Sequence, residues 1–178
     1  MAVIPARWLA QISFGLAALL CLAVAIPLVF AQTAKRARNA AGSKDTFIDI
    51  TAKLGIHFTH SASPTSQKYL VETMGSGVAV FDCDGDGKLD IFFVNSAHIA
   101  DPMPKGALPL KDSAKYWNRM YRQKTDGTFE DVTEKSGLQG ADYGMGVAVG
   151  DYDNDGREDL YVTAFPHNRL YRNVGNCI

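Results

Sequence analysis

Two aspartate-rich loops of one design constrain this chain more than any other feature. Loop 1 spans residues 82–90 and loop 2 spans residues 151–159; each has an acid at positions 1, 3, 5 and 9 and glycine at position 6. Carboxylates held this close repel one another, by roughly 3 kcal/mol per pair at ~5 Å and an effective dielectric constant of ~20. The two loops are therefore predicted to close around cations. A cation that takes six to eight oxygen ligands suits them best, which favours calcium.

The predicted calcium ligands are the four carboxylates of each loop and the backbone carbonyl at position 7. They are Asp82, Asp84, Asp86, Lys88 and Asp90 in loop 1, and Asp151, Asp153, Asp155, Arg157 and Asp159 in loop 2. Magnesium seldom occupies an all-protein carboxylate site. The alternative is a solvated Asp-Gly turn without metal, which the repeated spacing disfavours. The sequence thus predicts two Ca²⁺ sites. Their role is expected to be structural, because no nearby histidine or extra acid is patterned to activate a water.

Charge is distributed unevenly along the chain. The formal net charge is −1, but residues 32–44 carry four basic residues and no acid. From Asp45 onward there are 13 basic and 19 acidic residues, a balance of −6, and eight of those acids are the loop aspartates. The acidity therefore belongs to the loops. The basic stretch, residues 32–46, reads as a solvated linker, and no patterned basic patch indicates nucleic acid as a partner.

The N-terminus contains an apolar segment that suggests export. Residues 14–31 contain no polar side chain, Arg7 precedes them, and Val29-Phe30-Ala31 resembles a cleavage site. Eighteen apolar residues lie between a signal-peptide core and a minimal membrane span. Residues 1–31 are therefore predicted to be a hydrophobic helix that serves as a signal peptide or a membrane anchor, with residues 12–31 in the membrane in the second case. Loose calcium sites, with dissociation constants of ~0.1–1 mM, also favour an extracytoplasmic location: secreted, periplasmic or cell-surface.

The three cysteines do not suggest a disulfide framework. Cys21 lies in the leader, Cys83 inside loop 1, and Cys177 next to the last residue. Cys83 occupies a non-ligating position of the loop and is expected to be a small buried hydrophobic residue.

The chain repeats itself in the same order over four segments. The repeated pairs are residues 47–56 with 129–138, 77–82 with 146–151, 90–94 with 159–163, and 118–122 with 168–172. Such self-similarity indicates a repeat architecture. The repeated segments are short and rich in β-branched and aromatic residues, so each loop is expected to join two strands. Thr133 to Gly137 is predicted to be one helical turn that the glycine ends, and residues 96–117 an insertion loop. The predicted fold class is all-β.

An EF-hand is excluded by the residues that follow the loops. That motif requires a bidentate glutamate at position 12 and flanking helices. Position 12 is Phe93 in loop 1 and Val162 in loop 2, and both lie in apolar, strand-like segments.

These repeated segments resemble a known family. The string YGMGVAVGDYDNDG (residues 143–156), followed by DLYVT (159–163) and NRLYRN (168–173), resembles the FG-GAP/VCBS repeats of integrin-α-like β-propellers. FTH (58–60) through ETMGSG (72–77) is similar to the start of the propeller in the ASPIC/UnbV group, which includes cartilage acidic protein. The resemblance covers about residues 47–176.

The resemblance implies β-propeller blades whose hairpins calcium rigidifies. Residues 47–178 would form a partial propeller of about two four-stranded blades, against 4–8 blades in a closed one. Repeat 1 would span about residues 47–128 and repeat 2 about residues 129–178. After Gly175 the family usually continues with Asp-Gly-Thr-Phe, as at residues 126–129, whereas here Asn176 and Cys177 follow. The chain is therefore expected to be an N-terminal fragment that lacks further blades.

The function expected from this resemblance is that of an exported, calcium-binding, non-catalytic repeat module that interacts with a protein or a glycan. The alternative is the propeller part of a larger extracellular lyase or hydrolase, with catalytic residues outside this chain. Fold alone cannot separate the two.

Overall fold

Seven short strands form two antiparallel sheets in residues 47–177, the part of the chain that the computed structural model describes. The chain divides into two compact units, Met1–Asp49 and Ile50–Ile178, and both sheets belong to the second. The predicted leader (1–31) and linker (32–46) lie outside the described residues. No helix within residues 47–177 is long and apolar enough to cross a membrane.

Sheet 1 has four strands that pair in chain order. They are β1 (Val78–Phe81), β2 (Asp90–Phe93), β3 (Arg119–Gln123) and β4 (Phe129–Asp131). Every neighbouring pair is antiparallel. Buried and exposed side chains alternate along β1, where Ala79 and Phe81 are buried while Val78 and Val80 are exposed. This alternation sends one face of the sheet into the core.

Sheet 2 has three strands, again in chain order. They are β5 (Tyr143–Gly150), β6 (Asp159–Phe165) and β7 (Arg169–Tyr171). A register shift between Gly144 and Gly146 marks a bulge in β5. The predicted all-β class is confirmed, whereas the second sheet has three strands instead of four. Residues 173–177, which follow β7, do not turn back along it, because they pack against loop 1. Sheet 1 includes β4, which begins at residue 129, where repeat 2 is predicted to start. The boundary between repeats 1 and 2 itself remains a prediction.

The connections agree with the sequence-based expectations. The single helical turn α1 (Thr133–Ser136) ends at Gly137, whose φ of 68° is the left-handed value that glycine adopts readily. The insertion loop, residues 96–117, contains only a His98–Leu110 bridge and a short 3₁₀ turn at Ala114–Tyr116. The amine of Lys111 anchors this loop by donating to the carbonyls of Asn95, Ser96 and Tyr116, at 2.6–2.8 Å.

The main core lies between the two sheets. Ala79, Phe92 and Met120 of sheet 1 belong to one cluster with Leu160 and Val162 of sheet 2. All five are less than a tenth exposed. The sheets therefore pack face to face, with β1 beside β5.

The opposite face of sheet 1 is covered in part by the segment that precedes it. The ring of Phe58 stacks on Phe93 with centroids 4.6 Å apart. The backbone N–H of His57 donates to the hydroxyl of Tyr121 at 3.1 Å. This cover leaves Val78 and Val80 of β1 more than half exposed.

Candidate metal-binding loops

The two aspartate-rich loops lie side by side at the same end of the sheets. Loop 1 joins β1 to β2, and loop 2 joins β5 to β6. The backbone N–H of Asp82 donates to the carboxylate of Glu158 at 3.3 Å. The amide of Asn173, which follows β7, donates to the carbonyl of Cys83 at 2.8 Å and to that of Glu158 at 3.2 Å. Asn173 therefore links the two loops directly.

The first aspartate of loop 1 organises its turn. One oxygen of Asp82 accepts from the N–H groups of Gly85 and Asp86, at 2.9 and 3.1 Å, and the other accepts from that of Gly87 at 2.8 Å. The turn that makes this contact needs the left-handed φ of Gly87, 82°, which explains glycine at position 6. One oxygen each of Asp82, Asp84 and Asp86 lies within 4.8 Å of the others.

Loop 2 repeats this arrangement. One oxygen of Asp151 accepts from the N–H of Asp155 at 3.0 Å, and the other from that of Gly156 at 2.8 Å. Gly156 again has a left-handed φ, 86°. Here the oxygens within 4.8 Å of one another come from Asp151, Asp153 and Asp159.

The ninth-position aspartates, Asp90 and Asp159, are buried and serve as anchors. Asp90 accepts from the N–H of Cys83 at 3.0 Å and of Gln123 at 2.8 Å. Asp159 accepts from Tyr152 at 3.1 Å and from Asn173 at 2.7 Å. Each carboxylate thus ties the start of its loop to the end of the third strand. Desolvation raises the pKa of Asp90, against the two hydrogen bonds that lower it.

The structure brings together six of the eight predicted carboxylates in two groups of three. Asp90 is the exception in loop 1, since it groups with the two sulfur atoms of Cys83 and Cys177. Asp155 is the exception in loop 2, because the guanidinium groups of Arg157 and Arg172 hold one of its oxygens.

Basic side chains neutralise part of the loop charge. The amine of Lys88 lies 2.6 Å from Asp86, and this hydrogen bond lowers the pKa of Asp86 and raises that of Lys88. In loop 2, desolvation alone would raise the pKa of Asp155, but hydrogen bonds from Arg157 and Arg172 lower it overall. These acids are therefore ionised at neutral pH, as ligation requires.

Two arginines, one in β3 and one just after β7, approach the loops in corresponding ways. Arg122 of β3 reaches to 4.0 Å from Asp84. Arg172, just after β7, lies 2.6 Å from Asp153 and 3.0 Å from Asp155. Sequence reasoning did not assign them to the site, although they occupy the same position in the repeated segments 118–122 and 168–172.

The donor set fits calcium. Two oxygens bound to one calcium at 2.3–2.6 Å are at most about 5 Å apart. Both groups of three satisfy this limit. All their donors are carboxylate oxygens, which a hard divalent cation prefers. The residues that would hold the ion are therefore those of the two loops.

A disulfide between Cys83 and Cys177 corrects the prediction for the cysteines. Cys83 is buried as expected, at 4% exposure, but its sulfur is bonded to that of Cys177. The Cα atoms are 5.0 Å apart, within the usual range. The pairing could not be read from the sequence because 94 residues separate the two positions, and the return of the chain across loop 1 brings them together. With both sulfurs committed to this bond, they are not metal ligands.

Both loops lie within a region that resembles a known protein family. Residues 82–162 match the model of the FG-GAP-like repeat family. The match begins at the first residue of loop 1 and ends in β6, so it contains both loops and most of both sheets. It supports the FG-GAP resemblance and indicates a β-propeller-like module. Searches of curated proteins and of solved structures gave no match.

Proposed function

We propose that this protein is an exported, calcium-binding β-propeller repeat module that interacts with a protein or a glycan and has no catalytic role. The observation that carries the proposal is the pair of carboxylate groups, one in each loop, which share the aspartates at positions 1 and 3. Carboxylates held this close without a cation would repel one another. Calcium would bind only the folded state and would therefore stabilise it.

The disulfide supports an extracytoplasmic location. Disulfides persist in oxidising compartments and are rare in the cytosol. The bond between Cys83 and Cys177 closes across a loop whose acids suit a calcium-rich medium. Export through residues 1–31, and membership in the ASPIC/UnbV group, remain parts of the proposal that rest on the sequence.

The calcium part of the proposal can be tested by thermal unfolding of the full chain in mild detergent with calcium, with magnesium and with chelator. Calcium is expected to raise the melting temperature well above its value in chelator, because only the folded loops bind it, and magnesium should raise it less. Titration calorimetry is expected to find two sites. Asp84→Ala should remove the site in loop 1, and Asp153→Ala the site in loop 2.

A matched control is Asp126→Ala, since Asp126 lies in an Asp-Gly turn without neighbouring acids of the loop pattern. This variant should retain both sites. A melting temperature indifferent to calcium and chelator would refute the metal assignment.

A further inference from the structure

Asn173 is half-buried just after β7 and contacts both aspartate-rich loops with its side-chain amide. The amide donates to the carbonyl of Cys83 in loop 1 at 2.8 Å and to that of Glu158 in loop 2 at 3.2 Å. Since a primary amide has two N–H groups, each carbonyl can receive its own hydrogen bond. A single side chain therefore holds one backbone carbonyl of each loop.

The two carbonyls belong to peptide bonds that lead directly to predicted ligands. The carbonyl of Cys83 is bonded to the nitrogen of Asp84, the third-position acid of loop 1. The carbonyl of Glu158 is bonded to the nitrogen of Asp159, the ninth-position acid of loop 2. Because the peptide unit is planar, a contact that holds its oxygen also limits the direction in which the next residue follows. Asn173 thus acts on the start of loop 1 and on the end of loop 2.

The backbone of Asn173 ties it further to loop 2. Its N–H donates to the buried carboxylate of Asp159 at 2.7 Å, and its C=O accepts from the guanidinium of Arg157 at 2.9 Å. Arg157 also supplies the predicted carbonyl ligand at position 7. Hydrogen bonds therefore join Asn173 to each of the last three residues of loop 2, and a change in their positions would reach Asn173.

Loop 1 is held at the other end of this link. Cys83 is 4% exposed, and its sulfur is bonded to that of Cys177, in the segment that begins at Asn173. The backbone N–H of Asp82 donates to the carboxylate of Glu158 at 3.3 Å. The first two residues of loop 1 therefore take their positions from contacts with loop 2 and with the segment after β7.

The corresponding residue of sheet 1, Gln123, provides an internal comparison. Gln123 follows the repeated segment of sheet 1 as Asn173 follows that of sheet 2. Its backbone N–H donates to Asp90 at 2.8 Å, which is the contact that Asn173 makes with Asp159. Among residues 47–177, however, the side chain of Gln123 makes no hydrogen bond to either loop. The anchor is thus common to both sheets, whereas the side-chain link between the loops belongs to Asn173.

We propose that Asn173 couples the two calcium sites, so that calcium in either loop raises the affinity of the other loop. This inference rests on the proposed calcium binding. The amide must keep one conformation to serve both carbonyls, and closure of either loop around an ion fixes that conformation. The other loop then closes with a smaller loss of conformational entropy. Asn173 is a positioning residue, since it acts through the backbone of both loops.

The coupling is reciprocal, because linkage requires each ion to change the affinity for the other by the same factor. Charge acts in the opposite direction. Each loop has four aspartates, and an ion that neutralises one loop weakens the field that attracts a cation to the other. Salt screens this effect beyond about 8 Å at physiological ionic strength. The coupling is therefore measured at about that ionic strength.

Titration calorimetry of full chains in mild detergent measures the coupling. The coupling factor is the product of the two calcium-binding constants of a chain, divided by the product of the constants of its two single-loop variants, Asp84→Ala and Asp153→Ala. We expect this factor to be at least about fivefold larger in the wild type than in chains that carry Asn173→Ala. That substitution removes the side-chain link and keeps the backbone contacts of residue 173. The charge effects of the two loop substitutions cancel, because both series contain them.

Gln123→Ala is the matched control and should keep the coupling factor of the wild type. Asn173→Ser is a second test variant, and it should lose the coupling as Asn173→Ala does, because a hydroxyl has only one donor to offer. Variants at Asn173 that weaken both single-loop constants but keep the factor would overturn the proposal, as would an equal loss in Gln123→Ala. A wild type that binds no calcium would overturn the proposed calcium binding as well, so the two failures are distinguishable.

Discussion

Asp90 and Asp159 occupy the same place in the two sheets, and each accepts two backbone hydrogen bonds that tie its loop to the third strand. Both carboxylates are 1% exposed. They therefore have a structural role that does not depend on a bound ion, unlike the acids nearer the loop tips.

Asp159→Ala is expected to destabilise the fold even when calcium is absent. The N–H groups of Tyr152 and Asn173 lose their acceptor, and each buried unsatisfied group costs about 1–3 kcal/mol. Urea unfolding in chelator measures this loss. Asp153→Ala serves as the control, since its carboxylate is held by the half-exposed side chain of Arg172, which can turn to solvent when the carboxylate is removed. Equal stability of the two variants in chelator would contradict the anchoring role.

Arg172→Gln is expected to raise the calcium affinity of loop 2 several-fold at low salt. The guanidinium holds Asp153 and Asp155, so it competes with a cation for the same carboxylates. Titration calorimetry of the full chain measures the affinity. Arg169→Gln, which removes a β7 arginine that is bound to Asp142, should leave the affinity unchanged. An affinity lowered by Arg172→Gln would mean that the arginine helps to hold the ligands in place.

Cys177→Ser is expected to lower the free energy of unfolding by about 2–4 kcal/mol, because the disulfide restricts the conformations that the unfolded chain can adopt. Reductant should lower the stability of the wild type to the same level and should not affect the variant further. Urea unfolding with and without reductant measures both effects. Cys21→Ser should behave as the wild type, and a wild type insensitive to reductant would argue against the bond.

The stability of the fold is expected to rise with pH between about 7 and 10 through Lys111. Burial lowers the pKa of Lys111 to about 7, against the attraction of Asp142. Between that value and the ordinary lysine pKa of about 10.4, the unfolded chain binds a proton that the folded chain lacks, so a higher pH favours folding, by up to about 1.4 kcal/mol per pH unit.

Urea unfolding over this pH range, compared between wild type and Lys111→Met, isolates the effect of Lys111. The variant should be less stable overall, because three carbonyls lose their donor, but its stability should depend less on pH. If the free energy of unfolding depended equally on pH in both proteins, the surrounding acceptors would be keeping the Lys111 ammonium charged in the folded state.

Gly144→Ala is expected to destabilise the bulge of β5 markedly. A Cβ atom there would lie 2.3 Å from the Val94 side chain and 2.6 Å from the Asn95 carbonyl, so backbone would have to shift. Thermal unfolding measures the loss. Gly150→Ala in the same strand is the matched control, because nothing lies within 4 Å of its added Cβ. Similar melting temperatures for the two variants would contradict the close packing.

Local patterns predicted the elements of this fold because each depends on neighbouring residues. The strand-like segments around loops 1 and 2 became β1, β2, β5 and β6, and Gly137 ended the single helical turn as expected. The spacing of the loop acids likewise identified six carboxylates that the structure brings together in two groups of three.

The remaining features depend on contacts between distant residues. The ninth-position acids were assigned as ligands, and their spacing could not reveal that Gln123 at the end of β3 and Asn173 after β7 donate to their oxygens. The pairing of Cys83 with Cys177 depends on the path of the chain after β7. The approach of Arg172 to loop 2 also depends on that path, although Arg172 occupies the same position in its repeated segment as Arg122.

The covalent link between loop 1 and the end of the chain also affects how the protein would respond to a protease. The insertion loop, residues 96–117, lies between the two linked cysteines and holds many exposed residues. A protease that cut there would leave both pieces joined until a reductant released them. Nicked molecules would therefore retain the hairpins of loops 1 and 2 in one covalently joined molecule.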